Sequence, residues 1–392
     1  MKLFQKDELR LLWPFYLEDL ISNVFLLYPI YWIIQFQETL LLSQIGLIIS
    51  SVSIANFLFE VPTGAVADIF GRKFSVIFGL FLTGIMFLSI TFTKNFYYLL
   101  ILFFLLGISV TLISGADVSW VADNLKYKKK KKLLQTYFVK KMSIMRFSFM
   151  FAGLIGGIIV KYYGLNIIWP VTAFSLLVSC IILFFAEEHK LTKEQDKSLK
   201  SVYNQTFKSL KYSLKHKTLF SYILICILTG FVLSFAGDLI WKPYLVEFNI
   251  PNSYFGYLFS IGTALGIIAP FAGSYLAKKL NKEKTFFSLI LAFETLFLIL
   301  AIFAGNWVVL AIIMLLFVFL FDMFDPIQKN YIQKLLPSDK RATLSSFFTM
   351  FLSLGMIIGG PLGGLTADYY GFRITLFIGV LFFIPMIYLY RN

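Results

Sequence analysis

Histidine and cysteine are nearly missing from this chain, with two of each in 392 residues. His189 and His216 stand in one polar stretch, and Cys180 and Cys226 lie far apart inside apolar runs. That pattern excludes a disulfide framework and a zinc site. No Gly-x-x-x-x-Gly-Lys-Ser/Thr loop occurs, so ATP drive is not expected. No nucleophile triad or ligand set for a metal occurs either; neither an enzyme nor a cofactor is expected. Charge is scarce as well, at 14% of residues, where soluble proteins carry about a quarter. Apolar residues make up 59% and mean hydropathy is +0.80, more apolar surface than a soluble fold can hide. The first ten residues are polar and mixed in charge, and the first apolar run is too long for a signal sequence, so no cleavable leader is expected.

What the chain does have is apolar runs near 20 residues long, each able to cross a hydrocarbon core of roughly 30 Å as a helix. Twelve are expected, near 10–36, 42–67, 74–92, 96–125, 142–163, 166–186, 218–247, 254–277, 285–304, 306–335, 342–369 and 372–390. The fold class is therefore an all-α membrane protein. It divides into an N-terminal six-helix bundle (1–186), a basic connector (187–217) and a C-terminal six-helix bundle (218–392). Val202, Leu210 and Leu214 recur among the connector's lysines, which suits a helix lying on the membrane surface. The formal charge of +14 is unevenly placed. With the N-terminus inside, 29 of the 35 Lys and Arg fall in cytoplasmic segments, which puts both termini in the cytoplasm by the positive-inside rule. The run Lys128–Lys132 is then an anchor near anionic lipid, not a nucleic-acid site.

One fifteen-residue stretch occurs twice. Gly153-Leu-Ile-Gly-Gly-Ile-Ile-Val-Lys-Tyr-Tyr-Gly-Leu-Asn-Ile167 returns as Gly360-Pro-Leu-Gly-Gly-Leu-Thr-Ala-Asp-Tyr-Tyr-Gly-Phe-Arg-Ile374, with seven positions identical. Both copies close the fifth span of their half, so the halves are copies of one design, an organisation typical of transporters. Gly153, Gly156 and Gly157, and again Gly360, Gly363 and Gly364, clear one helix face for close helix packing.

Between spans two and three stands Gly64-Ala-Val-Ala-Asp68-Ile-Phe-Gly71-Arg72-Lys73. It resembles the signature loop of the major facilitator superfamily, Gly-x-x-x-Asp-x-x-Gly-Arg-Arg/Lys, in type, spacing and place. Glu60-Val-Pro-Thr, Ser114-Gly-Ala-Asp117, Asp325-Pro-Ile and Pro337-Ser-Asp-Lys-Arg341-Ala-Thr extend the resemblance along the chain. It implies two six-helix bundles rocking about a central site, with a cytoplasmic latch built from Gly64, Asp68, Gly71, Arg72, Lys73 and Asp123. In that latch Gly64 lets span two pack closely and Gly71 permits a turn. Asp68 faces the positive start of span eleven at Arg341–Ser345, and Arg72 pairs with Asp123. Gly273-Ser-Tyr-Leu-Ala-Lys278 at the equivalent place lacks the Asp, so the latch is expected to be asymmetric. Family drug:proton antiporters carry Gly-Pro-x-x-Gly-Gly in span five; Leu154 replaces that Pro here.

Ionisable groups inside spans cost about 2.5–3.5 kcal/mol each on insertion scales. Glu18, Asp19, Glu60 and Asp117 come out roughly 12 Å from the cytoplasmic helix ends at the helical rise, with Arg146 slightly shallower and Asp117 its expected partner. Glu294 and Asp325 fall near mid-membrane, Asp325 in a stripe with Asp322 and Lys329. Asp238 and Lys242, four apart, read as a self-satisfying pair. Asp19, Glu60, Asp117, Arg146, Glu294 and Asp325 are the candidates for coupling or the solute cavity; the alternative is that these charges lock helices together. The expected function is secondary transport of a small solute by alternating access, proton-coupled, with efflux of amphipathic or drug-like compounds suggested by the 19% aromatic content. An uptake carrier for a sugar, amino acid or organic anion is the rival within the class, and a non-transporting sensor is the rival outside it. Expected partners are the solute, protons and membrane lipids, the expected state is a monomer, and the expected location is a bacterial-type cytoplasmic membrane.

Overall fold

In a computed structural model, the described residues are 6–189, 216–280, 282–336 and 341–391. Most of the connector 187–217, and the side chains of Arg341, Ala342, Thr343 and Ser345, lie outside them. The described residues form helices and no strand: α1 (Lys6–Val24), α2 (Tyr28–Phe36), α3 (Leu42–Phe70), α4 (Arg72–Ile90), α5 (Phe96–Ile113), α6 (Ala116–Tyr127), α7 (Leu133–Tyr163), α8 (Ile168–Phe184), α9 (Lys217–Phe235), α10 (Asp238–Glu247), α11 (Asn252–Leu280), α12 (Glu283–Ile302), α13 (Trp307–Leu335) and α14 (Arg341–Arg391).

Among the described residues, eleven helical stretches are long and apolar enough to cross a membrane. The last covers 45 residues, Phe347–Arg391, about twice what one crossing takes. Gly371 interrupts α14 at φ 80, a left-handed conformation that costs a glycine little. The stretch is therefore two spans. Large apolar side chains such as Phe92, Phe271 and Phe303 stand more than three-quarters exposed, a surface suited to lipid, and the protein is an integral membrane protein.

Among the described residues three spans are broken. The first is α1 and α2, the fourth α5 and α6, and the seventh α9 and α10. A broken helix in lipid needs partners for its freed backbone groups. In span one Thr172 of α8 supplies them: its hydroxyl accepts from the Leu27 N–H at 3.1 Å and contacts the Phe25 carbonyl at 3.2 Å. In span four the break is made by Gly115 at φ 71.

Two compact units result. The first draws on residues 1–32, 54–196 and 252–260, the second on 33–53, 197–251 and 261–392. In the first, Phe15 meets Trp120 edge-on at 4.9 Å and Tyr137 at 6.4 Å, a buried aromatic knot joining α1, α6 and α7. In the second, Phe287 packs on Phe324 and Tyr390 at 5.2 and 5.0 Å, tying α12 to α13 and α14.

Glycine seams explain why short pieces of chain join the unit they do. In the first unit α7 lies against the start of α11: a Cβ on Gly157 would stand 2.9 Å from the Ser253 carbonyl, and one on Gly153 would strike Ser260. The Ser260 hydroxyl donates to the Met150 carbonyl at 2.7 Å across this seam. In the second unit α14 lies against the start of α3: a Cβ on Gly360 would stand 2.8 Å from the Gly46 carbonyl, and one on Gly364 would strike the Leu42 backbone. The Ser50 hydroxyl donates to the Ile357 carbonyl at 2.7 Å there. Gly156 faces Leu27 and Tyr31, and Gly363 faces the Phe235 backbone. Both copies of the repeat thus do the same mechanical job, backbone against backbone.

Candidate functional site

The helix breaks aim polar groups at one place in the first unit. Asp117 occupies the first turn of α6, just after the break, where free N–H groups favour a carboxylate. The Lys141 ammonium of α7 reaches Asp117 Oδ2 at 2.8 Å and Asp19 Oδ1 of α1 at 3.6 Å. Asp19 is 6% exposed, and its Oδ2 is buried without a hydrogen-bond partner among the described residues. Glu18 adjoins it, and Lys141 stands 5.9 Å from the Tyr137 ring centroid. A step away Lys140 makes a second pair with buried Glu8, at 2.6 and 2.7 Å to its two oxygens, while Tyr16 donates to Glu8 at 2.9 Å. Two ammonium groups from adjacent positions of α7 therefore serve two acidic clusters.

Asp19 and Asp117, chosen from the sequence, meet in this site. The cation between them is Lys141, not Arg146, which sits half-buried further along α7. Sequence reasoning missed Lys141 because it ends the span at 142 and leaves the lysine in a basic loop. The helix begins at Leu133, so Lys141 is inside it. The available signal was Tyr137, Lys141 and Met145 at helical spacing. Glu60 of α3 lies near Ser114 at the α5–α6 break.

The second-unit candidates do not assemble in the same way. Asp325 pairs with Lys329 on its own helix at 2.8 Å, and Asp238 with Lys242 at 2.8 Å. Glu294 is 4% exposed on the packed face of α12, shared with Phe287, Leu291 and Leu298. Its Oε1 has no hydrogen-bond partner among the described residues.

In the signature loop, Gly71 takes φ 106 between α3 and α4. Arg72 forms an ion pair with Asp123 and donates to the Ser119 carbonyl, bolting α4 to the end of α6. Lys73 donates to the Phe184 and Ala186 carbonyls at 2.7 Å each, completing the C-terminus of α8. Glu187, just beyond, is held below the usual carboxylate range by its contact with Lys128. Gly64 behaves differently from the packing expectation: a Cβ there would meet nothing within 4 Å among the described residues. Asp68 is exposed in the last turn of α3.

Broken spans, a buried charge cluster and duplicated halves define a helical membrane carrier of the transporter type. A sequence profile of the Major Facilitator Superfamily matches residues 20–360 and 239–392, and the chain belongs to that superfamily, whose members are transporters. It is similar to an MFS-type transporter of Bacillus subtilis, YxaM, with 24% identity over 88% of this chain and 86% of that one. Its fold is similar to that of the nucleoside transporter NupG, with TM-score 0.77, 13% identity, and coverage of 96% and 98% of the two chains. A bacterial homologue of the human lysosomal transporter Spinster, solved inward-facing and occupied, matches at TM-score 0.77 and 13% identity over 97% and 95%.

Proposed function

We propose that the chain is a proton-coupled secondary transporter of amphipathic solutes, working outward, with Asp19, Asp117 and Lys141 at its coupling site. The observation that carries this is the buried, half-satisfied carboxylate of Asp19 beside a shared ammonium. Two carboxyl groups, Asp19 and Asp117, share one Lys141, so the ionised cluster is short of positive charge. A proton on Asp19, or a cationic group on the solute, makes up the deficit. Either event loosens Lys141 from one acid and changes what holds α1, α6 and α7 together. Coupling follows because the two states differ in charge at one buried point.

Alternating access supplies the motion. With both termini in the cytoplasm, as the lysine distribution favours, the two glycine seams belong to the outer ends of their helices and act as the outer closure. Asp68, Arg72 and Asp123 belong to the inner one. The chain halves 1–186 and 218–392 are the rocking bodies, the protein works as a monomer, and the aromatic content favours solutes with an apolar body.

The deciding experiment uses purified protein in proteoliposomes with a panel of cationic amphiphiles, neutral amphiphiles and nucleosides, with and without an imposed pH gradient. Gradient-dependent flux of an amphiphile, lost in Asp19→Asn, is the expected result. Flux that ignores the gradient would remove proton coupling; flux of nucleosides alone would replace the solute assignment. Asp68→Asn is expected to insert normally and turn over at least tenfold more slowly, and unchanged turnover would remove its latch role.

A further inference from the structure

The second unit carries an open groove of about 740 Å³ where α12 begins and α14 ends. Its two helical walls have the same polarity. On α12, Lys284, Ser288 and Ala292 follow at four-residue steps, hence along one face; on α14, Ile387 and Arg391 do the same. Both walls place their cations at one end, joined there by Lys282, and turn apolar away from it through Leu289, Ala292 and Ile387. Glu283, the one acid of the lining, is in an ion pair with Lys334 at 2.8 Å. The mouth therefore carries three cations against a single acid that already has a counter-ion.

We propose that this groove binds one anionic phospholipid from the surrounding bilayer, headgroup phosphate at Lys282, Lys284 and Arg391, acyl chain along Leu289, Ala292 and Ile387. The dimensions and polarity match that molecule. From Lys284 to Ala292 is about 12 Å along the helix, enough to carry a chain from the headgroup level into the hydrocarbon. The cations stand at helix ends, where headgroups lie, and Ala292 is exposed, so the groove opens sideways toward lipid. A free phosphate would satisfy the mouth but leave the apolar wall unused. Basic pockets between membrane helices recognise anionic headgroups. Bound there, the lipid would splint α12 to α14, which share the Phe287–Tyr390 contact at 5.0 Å.

The test titrates the detergent-purified full-length protein with phosphatidylglycerol or phosphatidylcholine of identical chains, reading bound copies by native mass spectrometry and stability by thermal unfolding. One phosphatidylglycerol should be retained at least tenfold more strongly than phosphatidylcholine. K282Q/K284Q/R391Q should erase the preference, whereas K131Q/K132Q, elsewhere on the basic surface, should leave it. Ala292→Trp keeps every cation but fills the acyl path, and should weaken retention of phosphatidylglycerol without affecting competition by inorganic phosphate. Equal retention of the two lipids, or equal losses in both glutamine variants, would overturn the proposal. Displacement of the lipid by millimolar inorganic phosphate, with Ala292→Trp unaffected, would make the groove a phosphate site and sink it too. All variants are surface changes, and a cooperative unfolding transition certifies each as folded.

Discussion

Lys141 gathers Asp19 and Asp117 from two other helices, so its removal should do more than delete a charge. Two carboxyl groups would be left in a dry site without their cation, and breaking such a pair costs on the order of 3–5 kcal/mol when fully buried. Here the Lys141 and Asp117 side chains keep 18% and 28% of their exposure, which puts the expected loss nearer 2 kcal/mol. Lys141→Met should therefore lower the unfolding temperature in detergent. Lys141→Met with Asp19→Asn and Asp117→Asn should recover most of it, because no unpaired charge then remains. If the triple variant is as unstable as the single one, Lys141 acts through packing against Tyr137 and not through charge. Arg72 is a second residue-scale case. It serves Asp123 and the Ser119 carbonyl together, a task that suits the forked guanidinium; Arg72→Lys should keep the charge and lose one of the two contacts, with slower turnover in the flux assay.

Among the elements, the two glycine seams bring helix backbones close enough that a β-carbon on Gly153 or Gly364 would strike the facing chain. Adding a β-carbon should force the backbones apart at about 1–3 kcal/mol. Gly364→Val and Gly153→Val are each expected to lower the unfolding temperature, whereas Gly64→Val, with open space around it, should change it little. Equal losses at all three would show that β-branching in the helix, and not the seam, sets the cost. Asp368 adds an electrostatic clasp to the second seam: its two oxygens accept from the Leu42 and Ser43 N–H groups at 3.0 and 2.9 Å, at the positive end of α3. Asp368→Asn should weaken that clasp by about 0.3–1 kcal/mol. A cysteine at Ser43 should then become more reactive to a membrane-impermeant thiol reagent; unchanged labelling would mean the glycines hold the seam unaided. In the repeat the matching residue is Lys161, so only the second seam has this clasp.

At the level of the whole molecule the span count and the family could be read from composition, period and one loop. Twelve apolar runs correspond to the eleven stretches plus the division at Gly371, and Arg72 pairs with Asp123 next to the turn at Gly71. The charge site was half legible. Asp19 and Asp117 stand out because a carboxyl in an apolar run requires a reason, but hydropathy ends a span at its first lysines and so hid Lys141. The breaks in spans one, four and seven were barely legible. Gly115 gives a hint in span four, but the break at 25–27 has no glycine, and what permits it is Thr172, distant in sequence.

Chain chemistry alone decided that this protein lives in a membrane, because apolar runs of that length have no other solvent, and that it is a duplicated carrier, because a repeated pattern survives in one dimension. Tertiary structure alone decided which charges meet. An ion pair in lipid depends on where three helices converge and where one of them breaks, and neither convergence nor break has a local code.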